Sequence, residues 1–187
     1  DTVYVSTNAR FEAEFARFLD RSDYTKPVLS VEETTGESEK LGVVGALAQL
    51  VDRESVDDDL LVVAGDNVVG FDLESFLDFF EEVVTTTLAA YDVGSREAAS
   101  AYGLVETDGT RVVDFQEKPT DPRSTLVSIA CYVFPRSVVG LLDRYIEAGE
   151  DPDEPGWFVQ WLQDRRAVNA FTFDEQWFDV GTPESYL

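Results

Sequence analysis

The first 82 residues alternate short apolar runs with stretches of helical periodicity, and this order limits the folds open to the chain most strongly. The strand-like runs are 2–6, 27–31 and 60–64, and the helical stretches are 9–20, 41–53 and 72–82. Because parallel strands need long crossover connections, usually helices, a β-α-β-α-β-α order favours an α/β domain with a parallel sheet.

The pattern changes after residue 85. The remaining strand candidates are 86–91, 102–106, 112–115, 126–134, 167–173 and 176–180, and the remaining helix candidates are 137–148 and 157–164. Thr107-Asp108-Gly109 is a hairpin signal, and Asp72 is a candidate N-cap for the third helix. No repeat or linker divides the sequence, so we predict a single domain over 1–187.

The charge balance restricts the partners of the chain. The net charge is −24, with 38 acidic residues against 14 basic ones, and only three lysines occur (Lys26, Lys40 and Lys118). Nucleic-acid binding is therefore disfavoured, since phosphate backbones need basic patches. A dispersed, lysine-poor acidic surface suits molar salt, where screening removes self-repulsion. We interpret the chain as halophilic, the alternative being an ordinary acidic protein.

Other absences narrow the chemistry. The sequence has one cysteine, Cys131, and no histidine, which excludes disulfides within the chain, imidazole bases and zinc sites built on histidine or several cysteines. No apolar run reaches membrane-spanning length and no leader pattern opens the chain, so we expect a cytoplasmic location without membrane contact. It starts at Asp1 and has no methionine, so we expect it to be incomplete at its N-terminus.

Asp66 follows the most apolar strand candidate, 60–64. Ligands bind at the carboxyl ends of strands in open α/β sheets, and a carboxylate there can hold Mg²⁺ together with phosphate oxygens. The alternative is an aspartate that caps a turn.

Two further segments carry candidate functional residues. Lys118 lies in Glu117-Lys118-Pro119 after a strand candidate and could hold a phosphate, the alternative being an exposed ion pair before a turn proline. Asp179 lies near the end of the last strand candidate and could be a second metal ligand. The following Thr182-Pro183-Glu184 is a good helix start.

In this order and spacing, the segments resemble those of the sugar-1-phosphate nucleotidyltransferases, which include glucose-1-phosphate thymidylyl- and uridylyltransferases. The matching segments are 41–47 (LGVVGAL), 65–67 (GDN), 101–103 (AYG), 115–119 (FQEKP) and 177–184 (WFDVGTPE). The resemblance implies a Rossmann-like three-layer α/β/α domain with a mixed, mostly parallel sheet, truncated at its N-terminus.

The resemblance also implies roles for single residues. Asp66 and Asp179 would bind Mg²⁺, and Lys118 would contact the sugar phosphate. The implied substrate-binding residues are Gly45 beneath the base, Asn67, Gly103 against the sugar, Glu117 at the sugar hydroxyls, and Thr125. Thr125 and Ala130 depart from the family pattern, which has asparagine and glycine at these places.

The implied reaction transfers a nucleotidyl group from UTP or dTTP to a sugar-1-phosphate, with glucose-1-phosphate expected, and releases pyrophosphate. The family's Gly-Gly-x-Gly-Thr-Arg-Leu loop, which holds the triphosphate, has no counterpart in this sequence. We therefore expect the 187-residue chain to be weakly active or inactive. Without the strand before that loop, we expect it to pair with a second copy as a homo-oligomer or to leave a groove.

Two other functions stay open. A metal-dependent glycosyltransferase would use an Asp-x-Asp after a strand, but Asp57-Asp58-Asp59 precedes the strand and is better interpreted as a solvated acidic turn. A regulatory or scaffold relative would lack the loop, although it would not need Asp66, Lys118 and Asp179. Cys131 and the aromatic residues Trp157, Phe158 and Trp161 are predicted to be core residues.

Overall fold

A computed structural model describes residues 2–32, 34 and 41–181. Its strands are β1 Val3–Asn8, β2 Pro27–Glu32, β3 Leu60–Val63, β4 Asn67–Val69, β5 Thr86–Asp92, β6 Gly103–Asp108, β7 Arg111–Glu117, β8 Leu126–Phe134, β9 Val168–Thr172 and β10 Trp177–Asp179. Its helices are α1 Glu12–Arg21, α2 Gly42–Arg53, α3 Leu73–Val83, α4 Arg96–Ala99, α5 Arg136–Val139, α6 Leu142–Glu147 and α7 Pro155–Gln163. Most of the polar stretch 32–40 and the helix start at Thr182-Pro183-Glu184 lie outside the described residues.

The main sheet has six strands in the order β3-β8-β5-β9-β7-β6, and β6 also pairs with β8. A parallel pair β1–β2 and an antiparallel pair β10–β4 form two smaller sheets. Among the described pairings only β1–β2 and β5–β9 are parallel. The mixed sheet is confirmed, but the expectation that it is mostly parallel is wrong, because β8 runs antiparallel between β3 and β5.

Helices cover both faces of the main sheet, as the three-layer expectation requires. Alternate side chains of β8 point to opposite faces, so Ile129, Cys131 and Val133 pack with Phe76 and Phe80 of α3. On the other face, the β8 residues Tyr132 and Phe134 pack against α2, α6 and α7, in a cluster with Val44, Tyr145 and Phe158. Cys131 and Phe158 are buried core residues, as predicted, and Trp157 and Trp161 are partly buried and pack against the cluster that contains Phe158.

The β1–β2 pair is attached to α2 by a polar contact at the C-terminal end of the helix. The Ser30 hydroxyl donates to the Glu54 carboxylate at 3.1 Å and contacts the Arg53 guanidinium. Helix α1 has the expected apolar stripe, but Phe11, Phe15 and Phe18 remain 38–61% exposed. The pattern therefore predicted the helix correctly, while its burial is not seen among the described residues.

Local signals in the sequence predicted several element ends. The Asp72 carboxylate accepts a hydrogen bond from the Ser75 backbone N–H, which confirms the N-cap of α3. The β6–β7 hairpin turns at Gly109, which has φ +60°. The helix predicted over 137–148 is divided into α5 and α6, and β4 was not predicted because its three residues follow a turn signal. In the described part of the chain, no helix is long and apolar enough to cross a membrane.

Strand β8 contains an irregularity beside β5 that reaches the end of β3. The register shifts between Leu88 and Ala90, and Ala130 opposite them has φ +54°. The Ala130 carbonyl accepts the N–H of Ala64 at 3.0 Å. This bulge therefore fixes the backbone just before Gly65 and Asp66.

Candidate functional site

Asp66 and Asp179 are brought together by the short β4–β10 pairing. Asp179 lies opposite Asn67 in this antiparallel register, and the N–H of Val180 donates to the Asp66 carbonyl at 2.8 Å. Asp66 follows β3 and Asp179 ends β10, so two strands distant in sequence bring the backbones of these two residues together. The sequence predicted both residues as partners at one site, and the structure places them as neighbours.

Neighbouring groups hold both carboxylates in place. Asp66 Oδ1 accepts the Asn67 amide at 2.8 Å. Asp179 Oδ1 accepts the Gly181 N–H at 2.9 Å, and Asp179 Oδ2 accepts the Tyr102 hydroxyl at 3.3 Å. Each carboxylate oxygen has a second lone pair, so these bonds leave both carboxylates able to take another ligand.

The donor set at this pair of carboxylates fits Mg²⁺. Mg²⁺ binds hard oxygens and is usually held by one or two carboxylates together with water and substrate phosphate. Within 2–32, 34 and 41–181, no group of three or more metal-ligating side chains comes together. Asp66 and Asp179 would therefore hold the cation with water and phosphate oxygens completing its shell.

Glu117 and Lys118 lie at the end of β7, in a turn with unusual backbone geometry. Lys118 has φ +44°, in the left-handed region that non-glycine residues rarely adopt. Two bonds hold it there: the Lys118 N–H donates to the Tyr102 carbonyl at 3.1 Å, and the Glu117 N–H donates to Gln160 Oε1 at 2.9 Å. Backbone strain of this kind persists where the surroundings fix it, often at binding sites.

The Glu117 carboxyl group is buried between two glycines. Its residue is 9% exposed, and a Cβ at Gly103 would lie 2.8 Å from Glu117 Oε2. A Cβ at Gly156 would overlap the same carboxyl group. Burial raises the pKa of Glu117 to about 7, the Lys118 charge opposes this rise, and Glu154 adds to it.

Lys118 carries the positive charge of this region. Its ammonium group forms an ion pair with Glu154, which precedes α7, and both side chains are about half exposed. An exposed pair of this kind contributes little stability. The lysine is therefore available to an incoming anion that displaces Glu154, as the predicted phosphate contact requires.

Tyr102 connects the two halves of the site. Its hydroxyl donates to Asp179, and its carbonyl accepts the N–H of Lys118. Burial, and then the charge of Asp179, raises the pKa of Tyr102, so the hydroxyl stays protonated and continues to donate. Tyr102 thus links Asp179 to the Glu117-Lys118 turn through its hydroxyl and its carbonyl.

The remaining predicted residues are placed differently. Asn67 donates to Asp66 and accepts the Trp177 indole N–H, so its side chain is used inside the protein. Gly103 lies against Glu117 as described. The side chain of Thr125 hydrogen-bonds to Asp92, which lowers the pKa of that carboxyl group. Gly45 is buried in the first turns of α2, and the hydrogen bonds of the described residues do not connect it directly to Asp66 or Lys118.

The glycine with special geometry in the 41–47 segment is Gly42. It has φ +69°, and a Cβ there would overlap the Pro152 carbonyl. The N–H groups of Val43 and Val44 donate to the carbonyls of Asp153 and Pro152. The start of α2 is therefore tied to the loop that carries Glu154.

Asp57-Asp58-Asp59 lies at the opposite end of β3 from Asp66. Asp57 pairs with the Arg136 guanidinium at 2.6 Å, and Asp59 accepts the Arg136 N–H at 2.7 Å. The acidic turn is exposed, as predicted, and it fixes the start of α5. It does not contribute to the carboxylate pair.

Sequence reasoning missed five residues that surround the site: Trp177, Tyr102, Glu154, Gly156 and Gln160. Trp177 and Tyr102 were visible as parts of matching segments, but their hydrogen bonds were not. Glu154 directly precedes α7, Gly156 and Gln160 lie within it, and only the packing of α7 on β7 brings them to Glu117 and Lys118.

The sequence is similar to a known protein family and to members of related enzyme groups. A family model described as "Nucleotidyl transferase" matches residues 1–187. A Sulfolobus acidocaldarius protein, provisionally assigned as a mannose-1-phosphate guanyltransferase, is 27% identical over 188 residues, which is 100% of this chain and 48% of the relative. Glucose-1-phosphate adenylyltransferase of Thermosipho africanus is 34% identical over 181 residues, covering 90% of this chain and 42% of the relative.

The fold matches solved structures more closely than the sequence does. UDP-glucose pyrophosphorylase, solved with UDP-glucose, aligns with a TM-score of 0.79 at 15% identity, over 100% of this chain and 78% of that chain. The likeness confirms the three-layer α/β/α fold. The chain spans about half, or less, of the length of the sequence relatives described above.

Proposed function

Because the chain belongs to the nucleotidyl transferase family, we propose that it carries the metal and sugar-phosphate part of a site that transfers a nucleotidyl group to a sugar-1-phosphate. One observation supports this most directly. Tyr102 joins the Asp66–Asp179 carboxylate pair to the strained Glu117-Lys118 turn. A cation-holding group and a phosphate-holding lysine at one site suit a reaction between two anions.

In the proposed reaction, an oxygen of the sugar-1-phosphate attacks the α-phosphorus of a nucleoside triphosphate. A new P–O bond forms, the bond from the α-phosphorus to the bridging oxygen breaks, and pyrophosphate leaves with the electron pair. No side chain need accept a proton, because the attacking phosphate oxygen is already ionised. Such chemistry depends on positioning and charge neutralisation, which suits a chain with no histidine.

The side chains have separate roles in this proposal. Asp66 and Asp179 hold Mg²⁺, which supplies positive charge between the two anionic substrates. Lys118 leaves Glu154 and binds the sugar phosphate. Glu117 accepts hydrogen bonds from sugar hydroxyls, and its carboxyl group occupies the space that Gly103 and Gly156 leave free of side chains.

The set of substrates proposed for the site is broader than the set expected from the sequence. The family resemblance implied UTP or dTTP with glucose-1-phosphate. The names of the relatives add guanylyl and adenylyl transfer, and mannose-1-phosphate as an acceptor. The substrates to compare are therefore UTP, dTTP, GTP and ATP, each with glucose-1-phosphate and with mannose-1-phosphate.

The test is release of pyrophosphate with Mg²⁺, measured for each substrate pair on the longest polypeptide that the gene encodes and on the 187-residue chain. We expect turnover of at least one pair by the former, and slow or no turnover by the latter. If no pair yields pyrophosphate and titration with Mg·UTP gives no heat, the protein is a scaffold relative. If UDP-glucose is consumed as a glycosyl donor instead, the glycosyltransferase alternative is correct.

Substitution of the carboxylates tests the metal assignment. In a polypeptide that turns over, Asp66→Asn and Asp179→Asn should each lower kcat/KM by about 100-fold or more, because cation neutralisation of the reacting phosphates contributes several kcal/mol to the transition state. Asp78→Asn, on the exposed face of α3, is the control and should leave the rate unchanged. Retention of activity by both site variants would refute the assignment.

A further inference from the structure

A chain of hydrogen bonds runs from the Trp177 indole to the Asp66 carboxylate. Trp177 Nε1 donates to Asn67 Oδ1 at 2.5 Å, and Asn67 Nδ2 donates to Asp66 Oδ1 at 2.8 Å. An indole N–H can only donate and an ionised carboxylate can only accept, so one orientation of the Asn67 amide satisfies both. Trp177 thereby determines which side of Asn67 faces Asp66.

Tyr102 has the corresponding position on the other carboxylate. Its hydroxyl donates to Asp179 Oδ2 at 3.3 Å, while the Gly181 N–H occupies the Oδ1 side. The carboxylate plane of Asp179 is therefore held from both ends. Without the hydroxyl, only the hydrogen bond from the Gly181 N–H would remain, and the Asp179 carboxylate could rotate about it.

The two aromatic rings hold each other. Their centroids are 5.2 Å apart at an interplanar angle of 71°, an edge-to-face contact, and Tyr91 packs on Trp177 at 5.6 Å. Both rings are half-buried. The two donors thus belong to one packed unit, which contacts Asp66 through Asn67 and Asp179 directly.

We propose that Trp177 and Tyr102 are positioning residues for the divalent cation, Trp177 acting through Asn67 on Asp66 and Tyr102 acting directly on Asp179. This inference rests on the proposed function, in which these two carboxylates hold the cation. Partners that orient metal ligands in this way are commonly needed for full affinity. Loss of either donor should weaken cation binding while both carboxylates and both rings remain.

The test uses the donor-deleting variants Trp177→Phe and Tyr102→Phe, which keep an aromatic ring in each place. Binding of Mn²⁺ and of Mg²⁺ is measured by calorimetry in about 1 M KCl, where the Debye length of about 3 Å suppresses diffuse binding to the acidic surface. We expect each variant to weaken the affinity about 10-fold, the lower end of the effect of an outer partner.

Matched controls separate positioning from general disturbance. Tyr91→Phe removes a hydroxyl from a ring that also packs on Trp177, and Trp161→Phe removes an indole that packs on Phe158 in the other core cluster. Both should bind the cation as the original protein does. Thermal unfolding of all variants shows whether any loss of affinity exceeds a loss of stability.

The outcomes distinguish a failure of the metal assignment from a failure of the positioning roles. Specific binding is defined as the part lost in Asp66→Asn and Asp179→Asn. If the original chain shows none, the metal assignment fails and the positioning roles fail with it. If specific binding is present and Trp177→Phe and Tyr102→Phe retain it, the positioning roles alone are wrong.

Discussion

Glu117 is a buried carboxyl group for which two glycines leave room. Its position at the end of β7 was predictable, because chemistry-bearing residues in open α/β sheets lie at strand ends. Its burial was not, because it depends on Gly156 and Gln160 of a helix that begins nearly 40 residues later. The same holds for Asp66 and Asp179: the sequence indicated their roles, whereas Trp177 and Tyr102 could be assigned only from contacts.

The raised pKa of Glu117 predicts a pH dependence of stability. Its pKa is about 7 in the folded protein against an ordinary 4.5, so the folded state binds more protons between these values. The free energy of unfolding should therefore fall as pH rises from about 4.5 to 7, by up to about 3 kcal/mol from this group. Denaturant unfolding of Glu117→Gln should lack this contribution, whereas Glu147→Gln, an exposed residue on α6, should keep it.

Gly156 gives a second prediction at this scale. In Gly156→Ala the new methyl group must displace the Glu117 carboxyl group, which should lower the free energy of unfolding by about 1–3 kcal/mol. In a Glu117→Ala background the clash is gone, and alanine is the better helix former by about 0.5–1 kcal/mol. Equilibrium unfolding of the four proteins in this cycle should therefore show a change of sign. An equal loss in both backgrounds would rule out the clash as the cause.

Strand β8 shows why the helices and strands could be predicted from the sequence while the arrangement of the strands in the sheet could not. The existence of nearly every element followed from periodicity. Strand order did not, because β8 enters between β3 and β5 from far along the chain and reverses the direction expected from a β-α-β series. Long-range pairing of this kind leaves no local signal in the sequence, which is why the parallel character of the sheet was overestimated.

The bulge in β8 can be tested through Ala130. A left-handed backbone is strained for any residue with a Cβ and most strained for a β-branched one. Ala130→Gly should keep or slightly raise the free energy of unfolding, whereas Ala130→Val should lower it by about 1–3 kcal/mol. Thermal and denaturant unfolding give the comparison. A more stable valine variant would show that φ is not positive at this residue.

The whole molecule carries a net charge of −24, and its acidic residues are spread along the length of the sequence. Self-repulsion of this size opposes compactness until salt screens it. We propose that the protein is adapted to high salt and expect its melting temperature to rise markedly with KCl, since the Debye length falls from about 10 Å at 0.1 M to about 3 Å at 1 M. Equal stability at low and high KCl would contradict the adaptation.

A charge-reduced variant provides the control for that measurement. Asp78, Glu81 and Glu82 are exposed in the second half of α3, which has no basic residue in its last turn. Neutralising them with Asp78→Asn, Glu81→Gln and Glu82→Gln also removes an unfavourable interaction with the negative end of the helix dipole. This variant should reach the same stability at a lower KCl concentration.

The pairing of β4 with β10 also has a consequence for the order in which the chain folds. The Trp177–Asn67 bond closes a loop of 110 residues, while the β6–β7 hairpin needs only a turn. Contacts between residues close in sequence form much faster than contacts between residues far apart in sequence. During synthesis, Asn67 can bond to Trp177 only after Trp177 has emerged. The hairpin that presents Lys118 is therefore expected early, and the cation ligands late. Acquisition of cation binding after dilution from denaturant would then report the last step of folding.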